Sequence, residues 1–162
     1  MYQIAALTAL IAYVSDQLSK WVIMDVVNLP EVYRIPVLPI FTFQWVENRG
    51  VSFGMFQAGS EVGRWALITT TLLIVGLLVV MLKSAHHKIS AYAYGMIIGG
   101  ALGNIYDRVV MGYVADFLQF HVGDWSFAVF NVADIFITVG AMLLIYEAFF
   151  IKEGGDEQDA AK

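Results

Sequence analysis

The sequence predicts an all-α membrane protein with four transmembrane helices, a small extracytoplasmic β-rich segment between helices 1 and 2, and a short hairpin between helices 3 and 4. Three observations predict it. Of 162 residues, 59% are apolar and only 14% charged, and the mean hydropathy is +0.70. The apolar residues gather into runs that approach the roughly 20 needed to cross a bilayer. Two intervening stretches carry strand and turn patterns instead. The length fits one domain, taken as residues 1–152, followed by an acidic tail at 153–162 in which Glu153, Asp156, Glu157 and Asp159 outweigh Lys162. That tail reads as disordered and cytoplasmic, and it supplies much of the net charge of −5. The absence of cysteine excludes a disulfide framework, thiolate metal sites and a cysteine nucleophile. No basic patch with interleaved aromatics is present, which argues against nucleic acid as a partner.

Helix 1 covers about 4–27. Residues 4–14 are apolar except for Thr8, and the apolar character resumes at Trp21–Val27 after a polar interruption at Ser15–Lys20. No positive region precedes this run and its charges lie inside it, so it reads as a retained helix and not a cleaved signal peptide. The outer segment 28–64 follows Pro30, Pro36 and Pro39 with Phe41, Phe43 and Trp45 at period two, the mark of a strand with one aromatic face resting on the membrane. Trp65–Leu82 has no charge and forms helix 2 (65–82). Ile89–Tyr106 is equally uncharged and forms the body of helix 3 (89–108). In the second outer segment, 109–130, Val114–Val122 and Trp125–Phe130 flank Gly123-Asp124, a hairpin signal. Helix 4 covers 131–151. Four crossings place both termini and the 83–88 loop on one side and the two outer segments on the other. Lys83, Lys88 and His86/His87 in that short loop favour the cytoplasm for the terminal side, although Arg34, Arg49 and Arg64 lie opposite.

Ionisable groups inside spans cost roughly 2.5–3.5 kcal/mol each at the bilayer centre and are retained for a purpose. Asp16 lies about 18 Å along helix 1 from Ile4, and Asp107 about 27 Å along helix 3 from Ile89, at 1.5 Å per residue. Both helices run toward the 28–64 side, where helix 4 begins with Asn131 and Asp134. Crossing parity therefore brings the charges of three helices into one leaflet. Asp16/Lys20 and Asn104/Arg108 are spaced i,i+4, and Asn131, Asp134 and Thr138 follow i,i+3,i+7, so each helix carries a polar stripe. Gly95, Gly99 and Gly103 form an i+4 row that ends in Asp107, permitting close helix contact. With Asp116 in the hairpin region, the acids Asp16, Asp107, Asp116 and Asp134 face only Lys20 and Arg108. Two acids lack a basic partner. Carboxylates forced together in a low-dielectric site share one proton, which supplies a general base and a general acid for water attack on a peptide carbonyl.

Plainer readings stand beside this one. Asp16/Lys20 reads equally as an intrahelical ion pair, Asp107/Arg108 as a helix-end charge cluster at the headgroups, against a supporting role in which the adjacent Arg108 holds Asp107 ionised, Asp134 as a helix cap, and Asp116 as a solvated loop carboxylate. A Ser–Lys dyad would have to use Ser52 with Lys20, since Asp16 holds the position four before Lys20. His121 stands alone and His86/His87 lie on the far side, so neither a zinc site nor a Ser-His-Asp triad assembles. Gly99-Gly100-x-x-Gly103 lies within a span and is no phosphate loop. A proton-coupled transporter would spread its carboxylates through the depth of the membrane, and an assembly protein would offer the Gly95/Gly99/Gly103 face to partner helices.

The segments Asp16-Gln-Leu-Ser-Lys20, Asn48-Arg-Gly-Val-Ser-Phe53, Gly99-Gly-Ala-Leu-Gly-Asn-Ile-Tyr-Asp-Arg108, Val114-Ala-Asp-Phe117 and Phe130-Asn-Val-Ala-Asp134 resemble, in order and spacing, the motif set of bacterial lipoprotein signal peptidase (signal peptidase II). The likeness covers residues 1 to about 151. It implies a multi-pass aspartyl endopeptidase of the cytoplasmic (inner) membrane, with both termini cytoplasmic and its site near the extracytoplasmic face. Such an enzyme removes signal peptides from prolipoproteins by cutting just before a diacylglyceryl-modified cysteine. The resemblance assigns catalysis to Asp116 and Asp134, and site support or substrate contact to Asp16, Lys20, Asn48, Asn104, Asp107, Arg108 and Asn131. It implies no metal or cofactor, and membrane lipid and the lipid-bearing precursor as partners of a monomer. Ser52 stands where the family often has alanine, a small-for-small change.

Overall fold

The structure is a computed structural model, and it describes residues 1–50 and 60–151. The expectations for Ser52, for residues 51–59 of the outer segment 28–64 and for the acidic tail lie outside the described residues. Helix α1 (Tyr2–Trp21) runs on as a π-helical turn, Val22–Val26, and together they fill the expected 4–27. The polar run Ser15–Lys20 remains helical because Asp16 and Lys20 fall on the same buried face as Ala5 and Ala12. A short helix, α2 (Leu29–Val32), carries Pro30 in its first turn, where a missing N–H is harmless. Strands β1 (Arg34–Leu38) and β2 (Phe41–Asn48) follow. Helix α3 (Glu61–Met81) starts four residues before the expected Trp65, because the Ser60 hydroxyl caps it by accepting the Gly63 N–H at 3.1 Å. Helix α4 (Lys88–Val110), strands β3 (Val114–Val122) and β4 (Trp125–Ser126) and helix α5 (Val132–Phe150) complete the chain.

The two outer segments, read separately in the sequence, join into one antiparallel sheet of order β1-β2-β3-β4. Val46 pairs with Asp116 and Asn48 with Val114. The hairpin at Gly123-Asp124 is present, with Val122 opposite Trp125 and Gly123 at φ +59°, a left-handed turn conformation that glycine adopts without strain. Its second strand is shorter than 125–130.

Helix α4 is the centre of the bundle. Its Gly95 and Gly99 lie against the Ala5 and Ala9 carbonyls, and its Gly103 against Asp16, so α1 and α4 run parallel. On the other flank Gly100 meets Ala133, and Ala93 meets Gly140 of α5, which therefore runs antiparallel. The C-terminal ends of α1 and α4 and the start of α5 thus meet at the sheet. The glycine row is consumed within the chain, which removes it as a docking face for partner helices. A Cβ at Gly99 would collide with the Ala9 carbonyl, whereas Gly76 on α3 has open space around it. Gly99→Ala is expected to lower stability by about 1–3 kcal/mol and Gly76→Ala to leave it unchanged or slightly raised, as read by thermal unfolding in detergent.

The distribution of polarity is inverted relative to a water-soluble bundle. Asp16, Asp107, Asp116 and Asn131 are buried, while Leu7, Leu10, Leu73, Leu77, Met142 and Phe149 are exposed. On α3 only Ile68 is buried. Such an exterior suits hydrocarbon, where the helices satisfy their own backbone groups and side chains need no water. Among the described residues two helices, Glu61–Ser84 and Val132–Phe150, are long and apolar enough to cross a membrane by length and composition.

Candidate active site

Five elements deliver polar side chains to the end of the bundle beneath the sheet. The inner group is charged. Lys20 Nζ lies 2.7 Å from Asp16 Oδ2 and 2.6 Å from Asp107 Oδ2, and it donates to Asn104 Oδ1 at 3.3 Å. Lys20 thus directs its donors at two carboxylates and one amide oxygen. Asp16 Oδ1 accepts the Ala133 N–H at 2.9 Å, and Asp107 Oδ2 accepts the Ala115 N–H at 3.3 Å. One ion-paired cluster thus fixes α1, α4, α5 and β3 to one another. Asp107 pairs with Lys20 and not with its neighbour Arg108, because adjacent residues on a helix point about 100° apart. Among the described residues, the Arg108 side chain makes a single hydrogen bond, to the Asn104 carbonyl at 3.3 Å.

The outer group is held by neutral amides. Asp116 Oδ1 accepts from Asn131 Nδ2 at 2.6 Å, and its Oδ2 accepts from Asn48 Nδ2 at 2.9 Å. Asp134 Oδ1 accepts from Asn104 Nδ2 at 3.1 Å. Asn131 Nδ2 also donates to Asn104 Oδ1 at 3.1 Å, so two asparagines join the two carboxylates in one network. Among the described residues neither acid has an ion-pair partner, and these are the two that the charge tally left over. The capping role open to Asp134 is real as well. Its Oδ2 accepts the Asn131 N–H at 3.2 Å while Asn131 Oδ1 accepts the Asp134 N–H at 3.0 Å, a reciprocal capping box. The cap fixes the carboxylate's rotamer and leaves Oδ1 turned toward Asn104.

Asp116 is no solvated loop residue. It lies in β3, 2% exposed, in a run of four buried positions from Val114 to Phe117. Burial pushes its carboxyl up to about 6, the Asp134 charge adds to this, and the Asn48 and Asn131 amides oppose it. A folded state that holds the proton more tightly than the unfolded chain loses stability as pH rises from about 4 to about 6. Asp116→Asn should remove that loss. Melting curves at pH 4 and pH 7 are expected to show a smaller pH-dependent drop in the variant than in the parent protein.

Each acid reaches a different opening. Asp116 floors a cleft of about 420 Å³ walled by Val46–Gly50 on one side and Ala128 and Val129 on the other. Asp134 opens on an apolar groove of about 320 Å³ formed by Phe127, Phe130, Ile135, Thr138, Val139 and Met142. The 127–130 segment lies between them. The Gly50 N–H donates to Asn48 Oδ1 at 3.1 Å, orienting the amide that faces Asp116.

All nine residues singled out in the sequence converge at this end of the bundle. Gln17 was missed: its Nε2 donates to Asp16 Oδ2 at 3.1 Å and to Asp107 Oδ1 at 3.0 Å, bridging two acids. Its place three residues before Lys20 was the available signal. Glu147 was also passed over, although it lies within the expected helix 4. It accepts from Ser90 Oγ at 2.5 Å, about 20 Å along the helix from Asp134 at 1.5 Å per residue, and takes no part in the site.

Comparison with known proteins agrees with the motif order. Residues 8–150 match the family described as signal peptidase (SPase) II. The chain is 46% identical over 146 residues to the lipoprotein signal peptidase of Rhizorhabdus wittichii, covering 90% of this chain and 85% of that one. It is 40% identical over 152 residues to that of Beijerinckia indica, covering 94% and 91%. Among solved structures, a bacterial membrane enzyme obtained by the in meso method at 1.9 Å superposes with a TM-score of 0.77 at 26% identity, covering 90% of this chain and 92% of that one. The chain belongs to the signal peptidase II family.

Proposed function

We propose that this protein is an aspartic endopeptidase of the cytoplasmic membrane that removes the signal peptide from diacylglyceryl-modified prolipoproteins, cutting just before the lipid-bearing cysteine. In this reading residues 1–152 form a single monomeric domain with four spans, both termini are cytoplasmic, and the sheet faces the extracytoplasmic side. One observation carries it. Asp116, buried, and Asp134, half-buried, are joined through shared asparagines and held only by neutral hydrogen-bond donors, while the two acids of the inner group, Asp16 and Asp107, are both paired with Lys20. Uncompensated acids so arranged retain one proton between them.

In the reaction, the ionised member takes a proton from a water as its oxygen attacks the scissile carbonyl. The protonated member gives its proton to the carbonyl oxygen, forming a neutral tetrahedral diol. On collapse, one hydroxyl returns its proton to a carboxylate, the C–N bond breaks, and the other acid protonates the leaving nitrogen, so the shared proton is restored. Asn48, Asn104 and Asn131 aim the carboxylates. Asp16, Lys20 and Asp107 hold the helices that carry them, and Arg108 has donors left for a substrate carbonyl. The apolar groove beside Asp134 keeps one side of the substrate in hydrocarbon, and the surface segment from residue 33 closes over the peptide and excludes water.

The test is to incubate purified protein in lipid or detergent with a diacylglyceryl-modified precursor peptide and with its unmodified twin. Cleavage on the amino side of the modified cysteine is expected for the first. Absence of cleavage, with the protein folded, would overturn the reading, and equal cleavage of the unmodified twin would overturn its lipid specificity.

A further inference from the structure

The edge of the sheet does not close opposite Gln119. The Phe127 N–H donates to Phe120 O at 2.8 Å, and Phe130 and Leu118 exchange N–H···O bonds of 3.0 and 2.8 Å. One residue of β3, Gln119, therefore faces two, Ala128 and Val129. This is the two-against-one count of a β-bulge, a feature that ends pairing locally and is common beside active sites. Among the described residues, neither Ala128 nor Val129 has a main-chain hydrogen-bond partner. Both line the cleft whose floor is Asp116, and the flanking Phe127 and Phe130 turn to the groove on which Asp134 opens.

We propose that the bulge is a main-chain clamp for substrate: Ala128 and Val129 pair in strand fashion with unwound residues of the precursor next to the scissile bond, holding its carbonyl over Asp116. The inference rests on the peptidase reading above. Its physical basis is the state of the substrate. A peptide bond inside a helix has its N–H and C=O engaged in the helical ladder, so water attack requires several residues to unwind. At the membrane boundary those residues expose polar groups that hydrocarbon cannot satisfy. An enzyme working there has to provide partners. The bulge offers two N–H and two C=O groups behind small side chains, beside the carboxylate that has to approach the bond. The strap also lies between the two openings, so a peptide crossing it passes both acids.

The test uses precursor peptides in which each amide flanking the scissile bond, but not that bond itself, is replaced in turn by an ester, which deletes one N–H and weakens one acceptor. With wild-type protein, kcat/KM should fall about tenfold at one or two positions on one side of the cut, with little change at their neighbours. In Val129→Pro, which removes one enzyme N–H, the all-amide peptide should lose a similar factor, and the sensitive ester should add no further loss, because the two changes remove one bond. If Val129→Pro does not fold, the scan on wild-type protein decides alone. Uniform tolerance of esters at every position, or additive losses in the variant, would overturn the clamp while leaving the peptidase reading intact. Failure of the all-amide peptide to be cut would remove both.

Discussion

Asp116→Asn and Asp134→Asn are each expected to lower the cleavage rate by about 10²–10⁴-fold while the protein stays folded, and the double variant is expected to be no worse than the weaker single one. The magnitude is that of general acid–base catalysis by a positioned side chain. Non-additivity follows because both acids serve one proton-transfer device, which is lost whole when either half is missing. Stability should separate the two variants. Asparagine at 116 retains an acceptor for Asn48 or Asn131 and removes a buried ionisable group. At 134 the change removes an anionic cap at the start of α5, which costs about 1 kcal/mol. A cleavage assay paired with thermal unfolding reads both quantities. Robust turnover by either single variant would contradict the assignment.

Lys20→Met should be the most destabilising single change in the protein, by about 3–5 kcal/mol, because it strands two buried carboxylates without a counter-charge. The lysine is 3% exposed and Asp16 and Asp107 are 0% exposed, so water cannot take over the role. The loss should be structural before it is chemical, since the ammonium touches Asn104 but neither Asp116 nor Asp134. Adding Asp16→Asn and Asp107→Asn to Lys20→Met should recover much of the stability, because a neutral hydrogen-bonded cluster avoids the desolvation of three charges. Melting temperatures of the single and triple variants check this. A drop of less than about 1 kcal/mol for Lys20→Met would mean that the cluster is not the clasp described here.

The site was more legible in the sequence than its wiring. Depth follows from counting residues along spans whose direction alternates, and ionisable groups are conspicuous in apolar runs because they are costly there. That reasoning brought Asp16, Lys20, Asn104, Asp107, Asn131 and Asp134 to one end. It gives no azimuth, however. Whether Lys20 meets Asp107, and whether Gln17 bridges the acids, depends on how α1 rotates against α4, which is set by the fit of Gly95 and Gly99 to the Ala5 and Ala9 carbonyls. Asp116 was hidden for a related reason. Its burial comes from β2, some 70 residues earlier in the chain, pairing with β3, and no local pattern encodes a long-range pairing. The start of α3 at Glu61 behind its Ser60 cap and the bulge at Ala128 and Val129 are likewise matters of hydrogen-bond geometry that periodicity does not report.

The claim on which the mechanism depends is that Asp116 and Asp134 grip one water together. An experimental structure of the protein with a precursor-like peptide carrying a hydroxymethylene unit in place of the scissile amide measures this directly. The hydroxyl oxygen is predicted to lie within hydrogen-bond distance of carboxylate oxygens from both residues, with the peptide chain continuing past Asn48. A hydroxyl that contacts only one of the two acids, with the other turned away behind its asparagine, would contradict the account.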